Sequence, residues 1–336
     1  MIWIVALGPG FQPLFAQESI PQTILTSQAE LTAQQKAEVD AFVSAQARKL
    51  TSEDPAEVAE GRARLTEQFL STSSYFLDYY RQSIAEQVVP LIKEDSPLMT
   101  RLNVAIISAK LTGDSLIAVL ENGAADPSPA VRYWVAKAVG AVAKDKGFTS
   151  QTQQQAVLKV LSDRLKAEDE SLVLEQVMVA ISAIDLPEAV DTVLAGLDSR
   201  VGFHLSNPNA FFKPVYGGMQ QLYRKLVAQR AAGERVDAQL YELARTAYRY
   251  YALIARQMDG LNNNGSDKED LRQDKAMMAS LCGQVMAFAA GDVAGLSIPQ
   301  PVNTSNAAQL KASAALWHDI FRGAPFNYSE EQLALE

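Results

Sequence analysis

The 336-residue chain has a single cysteine, Cys282, and two histidines, His204 and His318. One cysteine excludes an intramolecular disulfide and any cysteine-based metal cluster. Two histidines leave few ways to build a histidine-rich metal site or a serine or cysteine nucleophile with its base. Neither stands in His-Glu-x-x-His, since His204 is followed by Leu205 and His318 by Asp319. Gly8-Pro9-Gly10 and Gly217-Gly218 are not followed by the Lys-Ser or Lys-Thr of a phosphate loop, and no Gly-x-Ser-x-Gly elbow occurs. The stretch from Asp259 to Leu271 has Gly260 and Leu271 where a calcium loop needs its first and last acids. The sequence therefore predicts a non-enzymatic protein with no catalytic set, no metal site and no cofactor.

Positive charge is also short. The net charge is −9, which argues against nucleic acid as the partner because a phosphate backbone needs a basic face. No internal run reaches eighteen consecutive apolar residues, so no transmembrane helix is expected in the mature chain. No segment alternates with the period of a strand. At 48% hydrophobic and 21% charged content, the chain can bury a large core and is not disordered in its body.

What the chain does have is helical periodicity, repeated. Asp126-Pro127-Ser128-Pro129-Ala130-Val131-Arg132 continues to Ala136 and Gly140, and Asp95-Ser96-Pro97-Leu98-Met99-Thr100-Arg101 continues to Ala105. Each copy has Arg six residues and Ala ten residues after its Asp. A weaker copy starts at Asp169, with Glu175 in place of the Arg and Ala180 one position late. Val131, Val135, Ala138, Val139 and Val142 fall at 0, 4, 7, 8 and 11, as do Leu98, Leu102, Ala105, Ile106 and Ala109, and Val173, Val177, Ala180, Ile181 and Ile184. That spacing is one face of an α-helix. Partner helices are expected at about 114–122, 149–166 and 187–197, giving a helix–turn–helix unit of about 31 to 43 residues. Glu168-Asp169-Glu170 reads as a solvated turn between helices.

These residues resemble the HEAT-repeat family of armadillo-type helices. The likeness rests on Asp126, Pro127, Val131, Arg132, Ala136 and Gly140, with Asp95, Pro97, Arg101 and Ala105, and covers about residues 90–200. It implies an all-α fold, a right-handed solenoid of antiparallel helix pairs. It also implies that Asp95, Arg101, Asp126 and Arg132 form a hydrogen-bonded ladder between stacked units. Repeats of this kind build interaction surfaces more often than active sites, so the implied function is a scaffold that binds another protein. The family also includes phycobilin-attachment lyases, so a lyase-type or other ligand-binding factor is the alternative.

The remaining segments divide accordingly. Residues 1–16 are uncharged and apolar and read as an atypical export signal cut after Ala16, with 17–30 as a polar lead-in. Export to a periplasmic or secreted location is expected, or a cytoplasmic one if this segment is not a signal. Residues 31–93 form an N-terminal helical region, 94–198 the repeats, 219–322 a C-terminal helical region and 323–336 a tail. Between them, 199–218 reads as a long aromatic loop. Arg200, Phe203, His204, Phe211, Phe212 and Tyr216 are its candidate binding residues, because aromatic side chains and Arg dominate interfaces.

Overall fold

The computed structural model describes residues 19–261 and 266–335, so the export-signal reading falls outside the described residues. The described residues are helical, with no strand among them. They fall into two units, which meet in sequence at Gly123 and Ala124.

The first unit holds α1 (Gln22–Leu25), α2 (Ala33–Leu50), α3 (Pro55–Glu67), α4 (Ser74–Gln87), α5 (Leu98–Ile107) and α6 (Gly113–Gly123). Local chemistry sets the starts of the longer ones. Thr32 and Gln35 form a reciprocal capping box on α2. Asp54 accepts the N–H of Ala56 while Pro55 takes the first position of α3, where a missing N–H costs nothing. Ser73 accepts the N–H of Phe76 at the start of α4. Phe42, Phe76 and Tyr80 are buried at the centre of this unit. Gly61 lets α2 and α3 approach: a Cβ there would lie 2.9 Å from the carbonyl oxygen of Gln46.

The second unit holds α7 (Pro129–Lys144), α8 (Gln151–Ala167), α9 (Ser171–Ala183), α10 (Pro187–Ser206), α11 (Lys213–Ala231), α12 (Asp237–Gln257), α13 (Ser266–Ala287), α14 (Ala307–Arg322) and α15 (Glu330–Leu333). Helix α9 packs on both α7 and α11, while α10 packs on α12 and α12 on α13 and α14. Gly140 meets Ala180 across α7 and α9, and Gly218 meets Met178 across α9 and α11. A π-helical turn, Phe288–Val293, continues α13. The span Lys268–Val293 is long and apolar enough to cross a membrane by length and composition, which no single apolar run in the sequence shows. Core helices meet the same criterion, and this one buries Met278, Cys282 and Met286 in the second unit.

Burial corrects the register of the repeats. In α5, Thr100, Val104 and Ile107 are buried, with Ser108 and Leu111 after it, alongside Arg101, Asn103 and Ala105, whereas Leu98 is exposed. Thr100, Val104, Ile107, Ser108 and Leu111 start five residues after Asp95, with the 0, 4, 7, 8, 11 spacing. Val131 stands five residues after Asp126. Val173 stands five residues after Glu168, so Glu168 and not Asp169 is the acid that heads the third copy. All three copies then share one register relative to that acid. The pattern runs on by 42 residues into α11, where Val215, Met219, Leu222 and Leu226 are buried.

Two further expectations are corrected. The 199–218 segment is not a long loop: α10 runs on to Ser206 and α11 begins at Lys213, so only 207–212 is irregular. The 323–336 tail is folded through 335. Phe326, Tyr328, Leu333 and Leu335 are buried, and Ser329 and Gln332 form a capping box on α15.

Candidate functional site

Glu168 organises the turn before α9. It lies in the turn before α9, fully buried, and accepts two N–H groups from Arg132, Nε and Nη2, each at 2.9 Å. The same guanidinium donates to the carbonyl oxygens of Asp126 and Pro127 at 2.8 and 3.2 Å. The N–H of Glu170 reaches Glu168 Oε1 at 3.0 Å, and Arg164 Nε stands 3.0 Å from Oε2. The Arg164 contact is an ion pair without hydrogen-bond alignment, since that N–H has no aligned acceptor. Burial pushes the Glu168 carboxyl up, but the Arg132 hydrogen bonds, the Glu170 N–H and both guanidinium charges together hold it below its ordinary value. Arg132 is raised by the same bond. Glu168 is therefore not the solvated turn acid that its neighbours suggest.

Of the four expected ladder residues, Arg132 reaches the turn before α9 through Glu168. Asp126 is buried and accepts the N–H of Ser128 at 2.8 Å, while Arg132 crosses to the next turn through Glu168. Arg101 donates to the carbonyl oxygens of Glu94 and Ser96 at 2.9 and 2.5 Å, within its own turn, and Asp95 is exposed.

Next to Glu168, the α10–α11 turn is held from behind by α12 and α13. Asp274 Oδ2 accepts the N–H of Phe212 at 2.5 Å. Phe212 has no side-chain acceptor to offer α11, so Asp274 supplies that cap from 62 residues away. Lys275 is buried at a core position of α13. Its Nζ donates to the Pro208 carbonyl at 2.7 Å and to Gln257 Oε1 at 2.6 Å. Gln257 Nε2 then donates to the carbonyl of His204 at 2.8 Å. Burial lowers the Lys275 ammonium to about 8, partly countered by Asp274. Burial raises the Asp274 carboxyl, opposed by the N–H groups of Phe212 and Lys213.

The six candidate residues of 199–218 therefore separate. Phe212 is buried, with His204 stacked on it at 4.1 Å and Tyr250 edge-on at 5.9 Å. His204 is also buried. Burial first, then the charges of Arg200 and Lys275, lower it to about 4, so it is neutral at pH 7. Phe203 and Phe211 are 45% and 52% exposed, and only these two of the candidate aromatics present a surface to a partner. Arg200 lies over the Phe203 ring at 5.5 Å and donates to the Glu168 carbonyl at 2.5 Å. Arg200, Phe203, His204 and Phe211 meet around a cavity of about 250 Å³ at the start of α9. Tyr216 is not among its walls; it is half-buried on α11 and its hydroxyl accepts from Gln220.

The other titratable residues are accounted for locally. His318 lies 3.0 Å from Glu330 beside α15, and among the described residues no three metal-ligating side chains converge. Cys282 is buried, and burial pushes its thiol up. Glu168, Gln257, Asp274 and Lys275 are the residues that sequence reasoning missed. A lysine within the apolar spacing Leu271, Lys275, Met278, Ala279, Cys282 was the signal available for Lys275.

No family model matches the chain, and no curated protein matches it. Among solved structures, the crystal structure of an engineered protein is similar at 14% identity, covering 92% of this chain and 90% of that one, with a TM-score of 0.38.

Proposed function

We propose that this chain is a non-enzymatic helical-repeat scaffold, HEAT-like in its second unit, that binds a partner protein at the face carrying Phe203 and Phe211. The recurrence of one buried register at 42-residue intervals and the packing of α9 between α7 and α11 support a solenoid of helix pairs. The observation that carries the binding reading is the pair of half-exposed phenylalanines at the mouth of a cavity beside Arg200. Large aromatics held open on a folded surface are typical interface anchors.

Replacing 199–218 wholesale would remove parts of two helices, so point substitutions are the proper test. Phe203→Ala with Phe211→Ala should leave the helical circular dichroism unchanged and abolish recovery of a specific protein in affinity capture. Unchanged recovery removes this face from the reading. Export is tested separately by intact mass, where loss of the first sixteen residues marks cleavage after Ala16.

A second reading, a ligand-binding factor on the same scaffold, has one observation in its favour. A cavity of about 280 Å³ lies between α12, α13, α14 and the segment from Ile298 to Thr304. Gly283 lines it, and a Cβ there would meet nothing within 4 Å. A small molecule that co-purifies with the chain and is lost in Gly283→Trp would favour this reading.

A further inference from the structure

The cavity at the start of α9 has two kinds of wall. Leu174, Phe203, Phe211 and Pro214 form an apolar side. Arg200 and Ser171, the first residue of α9, form a polar side.

Three features of the polar side are unmatched. Arg200 donates one hydrogen bond, to a neutral carbonyl, and among the described residues it has no ion-pair partner, although the chain has a net charge of −9. Helix α9 has no side-chain cap: Glu170 stands at its N-cap without bonding back, and the carboxylate of Glu168 is occupied by Arg132 and the Glu170 N–H. The first N–H groups of a helix have no acceptor within it, and the end carries partial positive charge. His204 is 3% exposed and also contributes to the wall, and its Nδ1 has no hydrogen-bond partner. Asp169 is the one acid among the lining residues.

The size narrows the choice of ligand. Pockets for drug-sized molecules run to about 300–1,000 Å³, and 250 Å³ is below that range. The space suits one residue-sized group that presents a carboxylate and an apolar side chain together. An internal Asp or Glu has the acid without the apolar group, whereas the last residue of a chain has both.

We infer that this cavity receives the free C-terminal carboxylate of a partner polypeptide ending in an apolar residue. The carboxylate lies against Arg200 and the opening N–H groups of α9, and the terminal side chain lies between Phe203, Phe211 and Pro214. Capture of a chain terminus by backbone N–H groups is an established recognition mode. This inference rests on the protein-binding reading above and adds the chemistry of the partner.

The test uses the full chain and fluorescein-labelled Gly-Ser heptapeptides ending in Leu, Phe or Val, each as free acid and as C-terminal amide, read by fluorescence anisotropy. The free acids should bind at least tenfold more tightly than the amides. Arg200→Gln should weaken the free acids about tenfold and leave the amides unchanged. Ser171→Pro removes one N–H at a position where proline is favoured, as it already stands at Pro129 and Pro187. Glu170 is already extended, at φ −76° and ψ 117°, as a residue before proline must be. This variant should fold normally and weaken the free acids at least threefold.

Equal binding of acid and amide, or no binding of either, overturns the inference. So does N-acetyl-leucine binding as tightly as the heptapeptides, which would assign the site to a small free acid. If partner capture is lost in Phe203→Ala/Phe211→Ala but survives Arg200→Gln, the scaffold reading stands and the carboxylate falls.

Discussion

Arg132 grips Glu168 through two hydrogen bonds of 2.9 Å while the same guanidinium caps the carbonyl oxygens of its own Asp126-Pro127 turn. One side chain thereby ties the turn before α7 to the turn before α9. Both members are largely out of water: the side chains are 10% and 1% exposed. Removing one partner of a buried pair leaves a charge without compensation, at about 3–5 kcal/mol. Arg132→Ala should lower stability by that order in urea titration. Glu168→Gln keeps an acceptor for one guanidinium N–H and should cost less. A loss under about 1 kcal/mol for Arg132→Ala would mean that the pair is not holding the turns together.

Two adjacent phenylalanines give a sharp contrast. Phe212 is 1% exposed and Phe211 is 52% exposed. Truncating a buried Phe costs about 3–5 kcal/mol, whereas exposed positions usually fall within about 0.5 kcal/mol. Phe212→Ala should therefore show a much lower denaturant midpoint than Phe211→Ala. Similar midpoints for the two variants would contradict the placement of the α10–α11 turn.

His204 should make stability depend on pH in a defined window. Its folded value is about 4, below the ordinary 6.5. Between those values the unfolded chain binds a proton that the folded chain does not, so stability rises with pH there. The contribution is complete above about 6.5 and is lost as pH falls towards 4. It is of the order of 3 kcal/mol. Urea midpoints measured at pH 4.5 and 7.5 should differ less in His204→Leu than in the parent chain. An identical difference in the two proteins would show that His204 is not the titrating group.

Gly218 sets how closely α9 and α11 approach. A Cβ there would lie 2.6 Å from Met178 Sδ and 2.8 Å from Met178 Cβ. The sulfur can swing away but Cβ moves only with the helix, so Gly218→Ala should cost about 1–3 kcal/mol through overpacking. Pairing it with Met178→Ala in a double-mutant cycle should leave a small residual coupling, because the Cβ clash survives. Thermal melts of the four proteins give the answer, and a neutral Gly218→Ala would refute the close contact.

Much of the helical framework was legible because its punctuation is local. Thr32, Asp54 with Pro55, Pro129 and Pro187 all mark helix starts by chemistry within a few residues. The register of this copy was obscured because its core positions include Thr100 in α5 and Ser108 just after it. Their hydroxyls are satisfied by the carbonyls of Leu50 and Ala105, so polar residues occupy an apolar stripe. Glu168 was hidden among three consecutive acids, and only the 42-residue recurrence of the buried face singles it out. The 199–218 segment misled because Gly202, Pro208, Pro214 and Gly217-Gly218 read as loop punctuation. Pro214 instead sits in the first turn of a helix, and Gly218 sits where a neighbouring helix leaves no room. Of the candidate site, Arg200, Phe203 and Phe211 were readable as residue types. That Phe212 faces inward depends on Asp274 and Lys275, which no local pattern connects to it.

The cap that Asp274 gives α11 also has a consequence for how the chain is made. The N–H it accepts belongs to a residue synthesised 62 positions earlier. Through Lys275, the same stretch of α13 holds the Pro208 carbonyl. As the chain emerges from the ribosome, α10 and most of α11 can form from their own sequence. The bend between them stays unfinished until α13 has followed and docked. Phe203, Phe211 and Arg200 are thus brought to their final places late, and a nascent chain ending short of α13 would display the helices without the finished bend between them.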